Sequence, residues 1–133
     1  MKNIRVLLAD DHGIVRRGLR YLLDSVAGLD VVGEAADGRQ AVALAEELDP
    51  DVIVMDIAMP NLNGIEATSQ ISRKNPRAGV IILSVHSDET YLVRALSAGA
   101  KGYLLKDSAE SDLIRAVEAV SAGRTFFSPA IAQ

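Results

Sequence analysis

The chain has 133 residues, the size of one ordinary domain, which excludes a second domain of even modest size within it. Hydrophobic residues make up 49% and charged residues 24%, a composition that excludes a disordered, collagen-like or coiled-coil chain. The absence of cysteine and the presence of only two histidines exclude disulfides, thiolate metal sites and histidine-rich metal sites. A formal net charge of −4 argues against a chain that grips nucleic-acid phosphates unaided.

The sequence gives no sign of a membrane segment. No apolar stretch reaches the length of about 20 residues that a membrane helix needs. The basic, then apolar start of the chain is interrupted by Asp10 and Asp11 after a short run, so we interpret it as a buried strand rather than a secretion signal. We therefore expect a cytoplasmic protein that makes no contact with a membrane.

Short apolar runs alternate with segments of helical spacing along the chain. The runs predict five strands, at residues 4–9, 29–35, 51–55, 79–84 and 101–105. After each of them, apolar residues recur at steps of three and four, which predicts a helix, with the weakest pattern in the third at about residues 64–74. In the other four predicted helices, the recurring apolar residues include Val15, Leu19 and Leu22; Ala41, Ala45 and Leu48; Leu92 and Leu96; and Leu113, Val117 and Val120.

Five strand–helix units in succession predict an α/β fold, with a parallel sheet covered by helices on both faces. Gly28, Gly79, Gly99 and Gly123 fall where helices are expected to end. In such a sheet, ligands bind at the carboxyl ends of the strands, where the strand order reverses. Functional residues are therefore expected at these strand ends.

Polar or charged side chains stand at the carboxyl ends of four predicted strands. They are Asp10 and Asp11 after the first strand, Asp56 after the third, Ser84 at the end of the fourth and Lys106 after the fifth. Taken singly, an aspartate there is most often a helix cap, a serine a loop residue and a lysine solvated surface. Together they meet at one pocket, where carboxylates about 4 Å apart repel by about 4 kcal/mol per pair at an effective dielectric constant of about 20. Such a cluster requires a compensating cation.

Lys106 supplies one positive charge, and a bound divalent metal would supply two more. Carboxylates without cysteine or histidine ligands suit a hard cation, Mg²⁺ above all, which commonly shares a phosphate with one or two protein carboxylates. We therefore expect phosphoryl-transfer chemistry, in which Ser84 donates to a phosphoryl oxygen. A carboxylate in line with the phosphorus can itself be the nucleophile and give an aspartyl phosphate.

Four motifs make the chain resemble the receiver domain of bacterial two-component response regulators. They are Leu8-Ala-Asp-Asp-His12, Val54-Met-Asp-Ile-Ala-Met-Pro-Asn-Leu-Asn-Gly64, Leu83-Ser84 and Gly102-Tyr-Leu-Leu-Lys106. The resemblance extends over about residues 4–123. It implies a flavodoxin-like, doubly wound receiver fold, whose five-stranded parallel sheet has the order 2-1-3-4-5.

The resemblance also implies roles for the residues of the pocket. Asp56 is expected to be the phosphoacceptor. Asp10, Asp11 and Asp56, together with the backbone carbonyl of Ala58, are expected to form the Mg²⁺ site. Lys106 is expected to pair with the phosphoryl group. The chain would then be a regulatory phosphoacceptor rather than an enzyme, one that catalyses only its own phosphorylation and dephosphorylation.

Two further residues carry the implied conformational switch. Ser84 is expected to move toward the phosphoryl oxygen, and Tyr103 occupies the position of the switch aromatic that turns inward. The alternative for Tyr103 is an aromatic of an edge strand, half packed on the fourth helix. We interpret His86 as a residue of the pocket rim that shapes access, and His12 as an N-terminal residue of the first helix rather than a ligand.

The chain departs from the commonest receiver pattern after Lys106, where Asp107 replaces proline. This removes the usual reason for a cis peptide bond after the lysine, since such a bond costs about 3 kcal/mol before a non-proline residue. With this aspartate and the ending Ala116-Val-Glu-Ala-Val-Ser-Ala-Gly-Arg124, the chain resembles the NarL/FixJ (LuxR-type) branch of response regulators. In that branch a DNA-binding helix-turn-helix domain follows a linker.

These features predict a receiver domain over residues 1–123, with 124–133 as a tail or the start of a linker to an effector domain that this chain does not contain. The expected partners are a sensor histidine kinase, a second copy of the chain after phosphorylation, and DNA only through the C-terminal effector domain. Helix four, strand five and helix five, or helices one and five, are the expected dimer surfaces.

Two alternatives belong to other functional classes. A receiver that stands alone could serve as a protein-binding module independent of phosphorylation. The complete set of five pocket residues argues against this alternative. A Mg²⁺-dependent phosphatase with an aspartyl nucleophile usually needs Asp-x-Asp at strand one and a substrate cap. The adjacent Asp10 and Asp11 and the short chain disfavour it.

Overall fold

The computed structural model describes residues 3–128, which form five strand–helix units and one further short strand. In chain order the elements are β1 (Ile4–Ala9), α1 (Gly13–Asp24), β2 (Leu29–Ala35), α2 (Gly38–Leu48), β3 (Val52–Asp56), α3 (Gly64–Lys74), β4 (Gly79–Ser84), α4 (Glu89–Ser97), β5 (Gly102–Leu105), α5 (Ala109–Ser121) and β6 (Phe126–Phe127). None of the helices in this part of the chain is long and apolar enough to span a membrane.

The strands form one sheet in the order β2-β1-β3-β4-β5-β6, and every neighbouring pair is parallel. The first five strands have the expected order, which confirms the α/β, doubly wound fold. The observed β3 lies one residue later than its predicted range, so Asp56 is the last residue of the strand. All five residues of β3 and all six of β4 are buried, as is usual for central strands of a parallel sheet that helices cover on both faces.

The short strand β6 was not predicted. It pairs Phe126 with Gly102 and Phe127 with Tyr103, and the buried Ser128 accepts a hydrogen bond from the backbone N–H of Leu105 through Oγ (3.1 Å). These contacts cover the edge of β5, whose backbone groups would otherwise lack partners. Two residues are too few to produce a readable periodicity. The remainder of the expected tail, including Pro129, lies outside the described residues.

The hydrophobic core lies on both faces of the sheet because successive strand residues point to opposite sides. On one face Leu7, Ile53, Met55 and Ile82 pack with residues of α2, α3 and α4. On the other face lie Val6, Val54, Ile81 and Leu83, packed with residues of α1 and α5. The two layers of helices hold the strand ends in register, and thereby fix the residues that follow them.

Three of the four glycines expected at helix ends have positive φ, namely Gly28, Gly99 and Gly123. The expectation was wrong for Gly79, which is the first residue of β4. A Cβ at Gly79 would lie 2.2 Å from Cγ1 of Val120, so close packing of α5 on β4 accounts for this glycine. All peptide bonds within residues 3–128 are trans, including Lys106–Asp107, and Lys106–Ser108 forms a 3-10 turn before α5.

Candidate functional site

The parallel register brings the predicted pocket residues together at one edge of the sheet. Asp56 ends β3 opposite Leu83, and Ser84 ends β4 opposite Leu105, the residue before Lys106. Asp10 directly follows β1, which lies beside β3. The strand ends therefore converge without any contribution from β2, which is separated from β3 by β1.

Asp10, Asp11, His12 and Asp56 form a compact cluster of potential ligands. One nitrogen or carboxylate oxygen from each lies within 4.8 Å of the others. Asp10 and Asp56 are each 1% exposed; within the described residues Asp10 Oδ2 has no hydrogen-bond partner, and Asp56 Oδ2 has only the ammonium group of Lys106 near it. A buried carboxylate oxygen without a partner carries a large desolvation cost, so these atoms point to a ligand that satisfies them. The donor set can hold a hard divalent cation.

Lys106 is the nearest positive charge to the buried Asp56. Its Nζ lies 3.2 Å from Asp56 Oδ2, and its side chain is largely shielded from solvent. Burial and the neighbouring charge of Asp10 raise the pKa of Asp56, and the Lys106 ammonium opposes this rise only in part. One lysine therefore leaves the carboxylates incompletely neutralised.

Ala58 contacts Asp56 through its backbone amide, whose N–H donates to Asp56 Oδ1 over 3.4 Å. The loop that carries Ala58 is held by Gly64, whose N–H donates to the Ile57 carbonyl at 2.8 Å. This arrangement keeps the backbone after β3 close to the acidic cluster. The role expected for the Ala58 carbonyl stays a prediction.

Ser84 and Tyr103 are linked through the backbone of His86. The Ser84 hydroxyl oxygen accepts a hydrogen bond from the His86 N–H (2.9 Å), and the Tyr103 hydroxyl donates to the His86 carbonyl (2.8 Å). Tyr103 is fully buried, in contrast to the half-packed aromatic considered as the alternative, and this burial raises the pKa of its phenol. The His86 ring stacks on Tyr91 with centroids 4.0 Å apart. The loop after β4 is thus held from both sides.

The contacts of His12 and Arg16 with the aspartates were not predicted from the sequence. His12 is the N-cap residue of α1, as expected, yet its Nδ1 lies 3.1 Å from Asp11 Oδ1. Arg16, one turn later on the helix, donates to the Asp10 carbonyl and to Glu34. His12 and Arg16 are four residues apart and therefore lie on the same side of α1. This spacing is the sequence signal by which their shared position beside the aspartates could have been found.

Comparison with known proteins decides the family. The family model described as response regulator receiver domain matches residues 6–118. The chain belongs to this family. Response regulator GacA of Pseudomonas viridiflava is 41% identical over 130 residues, an alignment that covers 98% of this chain and 61% of that protein. The nitrate/nitrite response regulator NarL of Escherichia coli K12 is 40% identical over 95% of this chain and 58% of its own length. The receiver therefore belongs to the NarL/FixJ branch.

Solved structures agree with the sequence relatives. A LuxR-family two-component response regulator from Aurantimonas superposes with a TM-score of 0.94 at 42% identity, over 99% of this chain and 94% of that one. The structure of an RcsB–DNA complex gives a TM-score of 0.90 at 30% identity, over 98% of this chain and 66% of that one. The chain spans about three fifths of the length of the curated relatives it matches.

Proposed function

We propose that this receiver accepts a phosphoryl group on Asp56 from the phosphohistidine of a sensor kinase, in a Mg²⁺-dependent reaction. The observation that carries the proposal is the setting of Asp56: a buried carboxylate at the end of a central strand, 3.2 Å from Lys106 and beside two further aspartates. Membership of the response regulator receiver family supports the same reaction.

In this reaction a carboxylate oxygen of Asp56 attacks the phosphorus, and the bond between phosphorus and the histidine nitrogen breaks. The electron pair of that bond stays on the imidazole of the kinase. The Lys106 ammonium stabilises the negative charge on the phosphoryl oxygens. Asp10 and Asp11, with Asp56, would hold Mg²⁺, which neutralises phosphoryl charge when bound. We assign the fourth protein contact of the cation to the Ala58 carbonyl.

We propose that phosphorylation is read by Ser84 and Tyr103. The Ser84 hydroxyl can donate to a phosphoryl oxygen, and its Oγ already accepts from the His86 amide. A movement of Ser84 therefore pulls the loop whose carbonyl holds the Tyr103 hydroxyl. A pre-existing minor state in which this loop is shifted would become favoured, since the phosphoryl group binds that state better.

The output of the switch is the second part of the proposal. We infer that the shifted state favours a homodimer, whose interface is formed either by α4, β5 and α5 or by α1 and α5. We also infer that this state controls DNA binding by an effector domain joined after residues 124–133. The relatives' lengths and the RcsB–DNA complex support this arrangement. Residues 1–123 are proposed as the phosphoacceptor domain.

The proposal is tested by incubating the chain with a small phosphodonor and Mg²⁺ and measuring its intact mass. We expect one acid-labile phosphoryl group on the wild-type chain, and none on Asp56→Asn. Lys106→Ala is expected to be phosphorylated about a hundredfold or more slowly, the loss typical of a removed electrostatic donor. Asp30→Asn, which removes a carboxylate from the opposite end of the sheet, serves as control. Equal phosphorylation of Asp56→Asn and wild type would overturn the proposal.

A further inference from the structure

His12 lies closer to the acidic cluster than a residue that only begins a helix needs to. Its Nδ1 is 3.1 Å from Asp11 Oδ1 and 3.4 Å from Asp10 Oδ1. The His12 backbone N–H donates to the same Oδ1 of Asp10 (2.8 Å), which fixes the turn between β1 and α1. The imidazole itself makes no capping hydrogen bond to α1, and its side chain is 62% exposed. The ring position is therefore set by its contacts with the two aspartates rather than by the helix.

The spacing of these atoms, which allows a direct contact between the imidazole and the carboxylates, also suits neighbouring ligands around one metal ion. Ligands at adjacent corners of an octahedron with metal–ligand bonds of about 2.1 Å lie about 3.0 Å apart. The separations of 3.1 and 3.4 Å match this edge to within a few tenths of an ångström. The full set of four ligand atoms spans at most 4.8 Å, close to the distance of about 4.2 Å between opposite corners of the same octahedron.

A second observation points independently to a ligand at this place. Asp10 and Asp56 are almost completely buried; Asp10 Oδ2 lacks a hydrogen-bond partner among the described residues, and Asp56 Oδ2 has only the Lys106 ammonium, at 3.2 Å. The imidazole nitrogen lies beside these carboxylates on the solvent side. A cation in the cluster would therefore meet buried oxygens on its inner side and the His12 nitrogen toward solvent.

We propose that His12 Nδ1 is a ligand of the cation held by the aspartates, and that it raises the affinity of the site for a transition-metal ion such as Co²⁺ more than the affinity for Mg²⁺. The physical reason is ligand type: an imidazole nitrogen binds borderline metals well, whereas Mg²⁺ strongly favours oxygen. The proposal rests on the cation site of the proposed function. It adds a nitrogen ligand and a selective gain in transition-metal affinity to that site.

The test compares Co²⁺ and Mg²⁺ binding by calorimetry, with untagged protein so that no foreign histidine is present. His12→Asn is the informative variant, because asparagine is a favoured N-cap residue and keeps α1 intact. We expect the Kd for Co²⁺ to rise about tenfold or more in His12→Asn. The Kd for Mg²⁺ is expected to change less than about twofold, since its ligands are oxygens.

His86→Asn is the matched control, since His86 is the only other histidine of the chain. This variant is expected to keep the wild-type ratio of the two dissociation constants. In protein labelled at the histidine rings, one equivalent of Co²⁺ should give a large hyperfine shift of a single imidazole. That signal should be missing from His12→Asn and present in His86→Asn.

The outcomes separate this proposal from the proposed function. If both ions bind wild type and the ratio of their dissociation constants is unchanged in His12→Asn, His12 is not a ligand, while Mg²⁺-dependent phosphorylation stands. A selective loss of Co²⁺ affinity in His86→Asn instead would also overturn the proposal. If wild type binds neither ion, the cation site itself is absent, and the proposed function fails with it.

Discussion

At the scale of single residues, the shape of the acidic pocket depends on a close backbone contact at Gly64. A Cβ at this position would lie 2.1 Å from the carbonyl oxygen of Asp56 and 2.9 Å from Cα of Ile57. These are backbone atoms, which cannot rotate away as the end of a side chain can. The first turn of α3 therefore packs directly on the residue that carries the proposed phosphoacceptor.

The close contact at Gly64 and the open space at Gly18 predict opposite effects on stability when each glycine is replaced by alanine. We expect Gly64→Ala to lower the free energy of unfolding by about 1–3 kcal/mol, because the added methyl group displaces the backbone of Asp56. We expect Gly18→Ala to raise it by about 0.5–1 kcal/mol, since nothing lies within 4 Å of a Cβ there and alanine favours the helix. Urea unfolding of both variants measures the difference. A Gly64→Ala chain as stable as Gly18→Ala would contradict the packing argument.

At the scale of elements, α1 is attached to the sheet by a group of charges. Arg16 and Arg20 both contact Glu34 near the end of β2, and Arg16 also donates to the Asp10 carbonyl. Hydrogen bonds from Arg20 and then Arg16 hold the pKa of Glu34 below its usual range. The helix that begins at His12 is thereby fixed against both β1 and β2.

The lowered pKa of Glu34 predicts a pH-dependent contribution to stability. Its carboxylate stabilises the fold at pH values above the unfolded-state pKa of about 4.3, and the contribution is lost as the pH falls through the lower folded-state pKa. We expect Glu34→Gln to lower the free energy of unfolding by about 1 kcal/mol at neutral pH. The difference from wild type should shrink steadily below about pH 4.3.

Chemical unfolding at several pH values, in buffer free of divalent cations, measures this difference. Asp24→Asn is the matched control because Asp24 also contacts Arg20, although the Asp24 side chain is more exposed (50%) than that of Glu34 (26%). Its effect should stay within about 0.5 kcal/mol. A Glu34→Gln deficit that is the same at neutral and acidic pH would show that the contacts of Glu34 act through packing rather than charge.

The sequence predicted the elements that are long enough to show an apolar run or a helical repeat, including α3, whose pattern was the weakest. Strands β1, β2 and β4 begin and end at the predicted residues, and the buried β3 differs by one residue. The polar residues at the strand ends were predictable because parallel strands must end at the same edge of the sheet. β6 was missed because an added edge strand of two residues has no periodicity. Gly79 was misassigned because its reason, the contact with Val120, is tertiary.

The contacts of individual side chains at the site could not be predicted from the sequence, because they too depend on tertiary structure. The type and spacing of residues predict which face of a helix a side chain lies on. Whether that side chain contacts a residue outside the helix depends on the conformation of the turn between β1 and α1. The hydrogen bond from the His12 N–H to Asp10 closes that turn and brings the imidazole beside Asp11. Arg16 could be placed on the same face of α1, but its contact with the Asp10 carbonyl required the structure.

At the scale of the whole molecule, the fold places an unfavourable concentration of negative charge at one end of the sheet. The net charge of the chain is −4, and the three aspartates of the cluster have one lysine close to them. Packing on both faces of the sheet keeps these carboxylates together in spite of their repulsion. A cation that binds only the folded chain relieves this repulsion and therefore stabilises the whole domain.

This coupling predicts that Mg²⁺ raises the thermal stability of the domain. At a free concentration of about one hundred times the Kd, the gain in unfolding free energy is expected to be about 2.7 kcal/mol, because the unfolded chain lacks the site. Calorimetric Tm values over a Mg²⁺ titration measure the gain. Asp11→Asn, whose side chain is 29% exposed, should fold normally and lose most of it.

Asp30→Asn makes the same change of charge at the start of β2, far from the cluster, and should keep the full gain. Matching the ionic strength with a monovalent salt separates specific binding from general screening of the net charge. If the monovalent salt raised the Tm as much as Mg²⁺ did, or if Asp11→Asn and Asp30→Asn responded alike, the stabilisation would come from screening. The aspartates at the strand ends would then not be the place where folding and cation binding are coupled.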